Sequence, residues 1–133
     1  MMEKYIEYFK GDRFAAINGI QLLECKPGYA KASVEIGPDH LNGAGVVHGG
    51  LMFTLADFAF AAAVNSYGKV TLSISTSMSY FDKSTEGILI AEAKEIARSN
   101  KLIHCDVSIR EESGKLLAGF KGTAYITSKE ITF

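Results

Sequence analysis

From Val46 to Val64 the chain is almost wholly apolar, small or glycine, yet one histidine, His48, opens the run and one carboxylate, Asp57, sits near its middle. No other stretch limits the fold as strongly, because so continuous an apolar run must be buried on nearly every side, in lipid or in protein. A bilayer helix needs about 20 apolar residues, so the length is close. Against a membrane span stand Asp57, which costs about 2.5–3.5 kcal/mol at a helix centre on insertion scales, together with Thr54 and Gly49-Gly50. Alternating strands follow at once and supply the rest of a core. The run therefore reads as a helix buried in a globular protein.

The flanking sequence fits that reading. At 133 residues the chain is expected to form one domain over its whole length. MEKYIEYFK has a short amphipathic pattern with Ile6, Phe9 and Tyr5 on one side, and Asp12 stands where it caps a second short helix through Ile17, with Gly19 at its end. GIQLLECK and YAKASVEI flank the turn Pro27-Gly28 as a strand pair, and a polar, glycine-rich loop from Gly37 to Gly45 leads into the helix. After Gly68 the period becomes two. In VTLSISTSMSYF, Leu72, Ile74, Met78 and Tyr80 alternate with Ser73, Ser75, Ser77 and Ser79. GILIAEAKEIA, LIHCDVSIR (with Ile103, Cys105, Val107 and Ile109 on one face) and KLLAGFKGTAYIT read as further strands, the last two joined at Glu112-Ser113-Gly114. This order predicts an α+β fold, a long helix laid against one antiparallel sheet. The serine row is a polar strand face or a sheet-to-sheet contact in a tetramer.

Composition narrows the function classes. A net charge of −1, with acids and bases mixed along the chain, argues against a nucleic-acid or anionic membrane partner. MMEKYIEYFKGDRF lacks the apolar core and cleavage site of a signal peptide, so the expected location is the cytoplasm. Cys25 and Cys105 are then expected to be two buried free thiols. His40, His48 and His104 lack metal-ligand spacing. There is no GxSxG elbow, and neither Ser79 nor Ser113 has identifiable His and Asp partners.

At three and four residues from Asp57 lie Phe53, Thr54, Phe60 and Ala61, so an ionised carboxylate there needs a partner in another element or a function. At the helix start, His48-Gly49-Gly50 brings backbone N–H groups to a positive end with no Cβ at the glycines. Such an end holds an anion, or the oxygen that becomes one during acyl transfer; equally, the glycines permit tight packing. A carbonyl-polarising helix end and one carboxylate are the minimum for activating water against an ester or thioester. Within one chain, however, Gly49 and Asp57 are about 12 Å apart along the helix. A shared substrate is reached more naturally if one group comes from a second subunit.

Asn42-x-x-Gly45-x-x-His48-Gly49-Gly50 followed by Leu55-Ala56-Asp57 resembles the signature of hotdog-fold acyl-CoA thioesterases of the phenylacetate-degradation (PaaI-like) group. The resemblance runs from about Gly19 through the last strand. It implies a long helix wrapped by a curved antiparallel sheet, in a homodimer with active sites between subunits and a further pairing into a dimer of dimers. It implies that Gly49 offers its N–H to the thioester carbonyl, with Gly50 beside it at the substrate. Asp57 of the other subunit is then the nucleophile or the general base. Asn42 orients the carbonyl or the water, His48 supports the loop and the leaving-thiol side, and Ser73, with Ser75 as the alternative, assists the water. No cofactor is implied, since coenzyme A is part of the substrate. Where the family commonly has an Arg-Pro pair near the coenzyme A entrance, this chain has Phe81-Asp82-Lys83; Lys83, Arg98 and Lys101 are the candidates for the nucleotide phosphates.

Two other functions use the same residues. A hotdog acyl-CoA hydratase or dehydratase pairs a histidine with an acid, here His48 with Asp57. A non-catalytic acyl-CoA-binding protein needs neither. The HGG…LAD arrangement fits the thioesterase group better than the former, and no appended signalling module favours the latter.

Overall fold

The computed structural model describes residues 2–133. Two short helices, α1 (Met2–Phe9) and α2 (Arg13–Ile17), precede strands β1 (Gln21–Lys26) and β2 (Tyr29–Glu35). A 3-10 turn at Pro38–His40, absent from the sequence reading, leads to the long helix α3 (Gly49–Asn65). Strands β3 (Lys69–Tyr80), β4 (Ile88–Arg98), β5 (Leu102–Glu111) and β6 (Leu116–Glu130) follow. All six strands form one antiparallel sheet in the order β1-β2-β4-β5-β6-β3. The sheet curves around α3, and this is the hotdog arrangement.

The topology follows from where α3 must go. Because β2 pairs with β4, the helix and β3 between them are carried across the sheet, and β3 ends on the far edge beside β6. The apolar helix thereby packs on strands from both halves of the sheet. Phe60 and Phe120 meet at 5.5 Å between ring centroids inside this core. The Phe60 ring lies where a Cβ at Gly122 would stand, 2.6 Å from it, so a methyl group there overpacks the core at about 1–3 kcal/mol. Cys25 and Cys105 are buried free thiols, as expected. Among the described residues no helix is long and apolar enough to cross a membrane.

Polar side chains tie down the end of α3. Asn65 Nδ2 donates to the carbonyls of Ala61 and Thr71 at 2.8 and 3.1 Å, and its Oδ1 accepts from Thr71 N at 2.8 Å. Ser66 Oγ donates to Ala63 O and accepts from Gly28 N. These buried groups are paired, as interior polar atoms must be, and they lock the helix to β3 and to the β1–β2 turn.

The two sheet edges differ. β1 is covered by α1, whereas β3 runs for 12 residues with only β6 beside it. The strict alternation expected along β3 is broken by a bulge: Ser73 is opposite Ala124 and Ser75 is opposite Thr123, with Ile74 between them. Residues opposite one another share a face, so the extra residue shifts the period. Leu72 therefore lies on the outer face with Ser75, Ser77 and Ser79, while Ser73 joins Thr76, Met78 and Tyr80 on the helix side.

Candidate active site

Most of α3 is closed off by its own chain. The positions left half-buried or open are Gly49, Gly50, Phe53, Thr54, Asp57 and Ala61, and from Gly50 onward their spacing of three and four residues makes one stripe along the helix. Thr54 is satisfied within it, donating from Oγ1 to Gly50 O at 2.7 Å. Asp57 is the stripe's only charge. No donor among the described residues bonds its carboxylate, and its oxygens still reach solvent. Burial holds the Asp57 carboxyl above its ordinary value of 3.8, and the nearby Asp12 charge adds to the effect. Asp12 is the N-cap of α2, accepting from Ala15 N at 3.0 Å, so the start of α2 contributes, after burial, to the electrostatics around Asp57.

The helix start is organised by two side chains. Asn42 Oδ1 accepts from Ala44 N at 2.9 Å and Val46 N at 3.3 Å, while its backbone N–H donates to Val46 O at 2.8 Å. This folds the loop into a compact turn with Gly45 at φ 77°. His48 is the N-cap of α3, and its Nδ1 accepts from Gly50 N at 2.7 Å. A Cβ at Gly50 would lie 2.9 Å from that nitrogen, so the cap requires the glycine. Since Nδ1 accepts, the neutral ring carries its proton on Nε2. His40 works the same way, accepting from Gly37 N and facing Asn18 O through Nε2 at 2.9 Å, which ties the loop to α2.

The groups left over are all donors. Gly49 N–H has no acceptor among the described residues, and the Asn42 amide NH₂ and His48 Nε2–H are likewise open. Tyr80, which sequence reasoning did not single out, presses on Gly49: its hydroxyl donates to Gly49 O at 3.0 Å, and its ring lies 3.3 Å from where a Cβ would stand. The tyrosine reaches Gly49 because the bulge at Ile74 keeps Tyr80 on the helix side of β3. No signal of single-strand periodicity marks that contact.

The expected site residues fall into separate groups. Asn42, His48, Gly49 and Gly50 share the helix start, and Asp57 lies about 12 Å along α3. Ser73 is on the helix side of β3, which distinguishes it from Ser75 on the outer face. The three basic residues are not brought together. Lys83 follows β3 beside Leu117, and Lys101 bonds Ile126 at the β4–β5 turn. From Leu117 to Ile126 along β6 is about 30 Å. Arg98 is engaged, with its guanidinium 3.9 Å from the Tyr67 ring and its Nε 3.7 Å from Glu95.

The pattern of the thioesterase superfamily matches residues 44–118, and a relative from Archaeoglobus fulgidus is 40% identical over 132 residues, covering 98% of this chain and 86% of its own. The chain belongs to the thioesterase superfamily. Acyl-coenzyme A thioesterase PaaI of Escherichia coli is 26% identical over 93% of this chain and 89% of its own. The solved structure of the PaaI protein from the E. coli phenylacetic acid degradation operon superposes with a TM-score of 0.90 at 27% identity, over 95% of this thioesterase and 92% of PaaI. A hypothetical thioesterase of Streptococcus pneumoniae, solved with coenzyme A, shares the fold at a TM-score of 0.86 and 20% identity, over 95% of this chain and 99% of its own.

Proposed function

We propose that this PaaI-like thioesterase hydrolyses acyl-CoA to a free carboxylate and coenzyme A in the cytoplasm, as a homodimer with two shared active sites. The carrying observation is the division of free groups on α3, donors at its start and one burial-raised carboxylate at its middle that have no partner among the described residues. The long open edge of β3, where Leu72 and Ile74 are 57% and 59% exposed, supports antiparallel pairing with a second copy. A two-fold axis there runs the two α3 helices in opposite directions. Gly49 of one subunit then approaches Asp57 of the other, which removes the 12 Å separation.

In this reading the Gly49 N–H and the Asn42 amide donate to the thioester carbonyl oxygen and hold the oxyanion as it forms. Asp57 acts as general base. Burial makes it more basic than an ordinary carboxylate, which suits proton removal from water near neutral pH. The water oxygen bonds to the acyl carbon while its proton passes to Asp57, with the Ser73 hydroxyl orienting the water. The tetrahedral intermediate then collapses, the C–S bond breaks, and the Asp57 proton goes to the departing thiolate on the side that His48 Nε2–H faces. His48 is poorly placed to serve as the base of a hydratase, since its Nδ1 is occupied by Gly50 N. The same two-fold axis sets the Lys83 end of one subunit against the Lys69 end of the other, so Lys83 and Lys101 of different chains flank one entrance for the coenzyme A phosphates. A dimer of dimers would use the outer serine face of β3.

The test is thiol release from a panel of acyl-CoA substrates by the native chain and by Asp57→Ala. Burial pushes the Cys25 thiol up to about 11 and Cys105 up to about 12, so a thiol reagent reads coenzyme A with little background. Loss of nearly all turnover in a folded oligomeric variant is expected. Equal activity would remove Asp57 from the mechanism.

A further inference from the structure

Beside the α3 stripe lies a cavity of about 450 Å³ between α1, α2, the start of β1 and the helix itself. Ile6, Phe9, Ala16, Ile20, Leu22 and Phe58 give it an apolar wall. Phe9 and Phe58 meet there edge to face, with ring centroids 5.8 Å apart. The assigned chemistry makes no use of this space.

Four observations bear on its use. The cavity lies near Asp57: Phe58, the next residue on α3, forms part of its wall, and Asp12, also in the lining, is close enough to act electrostatically on Asp57. Its size falls within the range of small-molecule sites, about 300–1,000 Å³, and is several times the roughly 150 Å³ that accommodates a benzene ring. Its charges do not invite an anion, because Lys10 is paired outward with Glu7 at 3.0 Å and the remaining charged residue is Asp12. Moreover, every lining residue except Phe58 precedes the segment shared with the superfamily pattern, residues 44–118. The walls therefore belong to the part of the chain where substrate choice can vary without disturbing the catalytic helix.

We propose that this cavity receives the acyl tail and makes the enzyme selective for uncharged, medium-chain acyl-CoA. The proposal rests on the hydrolase reading above and names its substrate class. A carboxylate at the tail's end would be driven against Asp12 and lose its hydration in an apolar space.

The test compares kcat/KM for acetyl-, butyryl-, octanoyl- and suberyl-CoA in the native chain and in Ala16→Phe. Ala16 is exposed on α2 yet lines the cavity, so a larger side chain fills the space without entering the core. In the native chain kcat/KM should rise by up to about fourfold per methylene from acetyl to octanoyl until the space is full. Suberyl-CoA should fall at least about tenfold below octanoyl-CoA. Ala16→Phe should leave acetyl-CoA within about twofold while octanoyl-CoA loses about tenfold, mostly through KM. Ala16→Leu serves if the phenylalanine variant melts early. Equal losses for both substrates, no loss for either, or a native enzyme indifferent to chain length would overturn the cavity's role and leave hydrolysis intact. Thiol release from no acyl-CoA at all would instead bring down the hydrolase reading.

Discussion

At the start of α3 the side-chain acceptors are spent on backbone N–H groups of the same loop, whereas at its middle the only charged group has no partner among the described residues. Asn42 Oδ1 and His48 Nδ1 are both occupied, so what faces outward is a set of donors. Asp57 presents only an acceptor, half-buried and raised in pKa. The donors suit an oxygen that gains negative charge, and the carboxylate suits a proton that must be removed. In the proposed reading one helix carries both halves of a hydrolytic site, but too far apart for one substrate. The difference teaches that the helix start is finished by local hydrogen bonds, while the carboxylate at its middle has none among the described residues and, in the proposed reading, is completed by a second chain.

The sharpest way to break this contrast is to remove the lone acceptor. Asp57→Asn should lower kcat by about 10²–10⁴-fold, measured as thiol release. The same change should raise Tm at neutral pH. Burial puts the folded-state pKa above its ordinary value, so the folded chain binds that proton more tightly. Stability therefore falls as pH rises from 3.8 through the folded value, and above it the ionised group is a standing cost that asparagine removes. A lower Tm would mean that Asp57 has a stabilising partner. In the native enzyme, kcat should fall as pH drops through the raised Asp57 pKa, so the acid limb of the profile should lie above 3.8; a limb at or below that value would remove the raised base.

If the middle of the helix is completed across β3, the edge must be essential. Ile74→Lys should shift the chain to a monomer in sedimentation and take nearly all activity with it. A monomer with full kcat would show that both halves of the site operate within one chain. The start of the helix should respond more mildly. His48→Ala loses the N-cap, an effect of about 1 kcal/mol on unfolding free energy in urea. Tyr80→Phe removes the bond to Gly49 O and should lower kcat severalfold with little change in KM, as expected of a residue that positions the oxyanion donor. A pure KM effect would place Tyr80 in substrate binding instead.

Much of this was legible beforehand because it is local. A continuous apolar run marked α3, period-two alternation marked β5, and Asp12 and Gly19 marked the two ends of α2. The role of His48 as a cap was not read, since histidine seldom takes that position and the signal rests on Gly50 leaving room for its ring. Nor was the face of Ser73, because a bulge leaves no mark in an alternating sequence and reverses every side chain on one side of it. Lys83, Arg98 and Lys101 look like one basic set on paper, yet β6 holds Lys83 far from the other two.

The sequence by itself determined that Asp57 must sit on a mostly buried helix, because an apolar run of that length has few other places to go and its spacing decides its neighbours. Tertiary structure decided which side of that helix stays open, which serine faces it, and that Tyr80 bears on Gly49. Those outcomes depend on strand order, on one inserted residue in β3 and on helices packed from the far end of the chain. They are contacts between residues distant in sequence, and no short-range pattern encodes them.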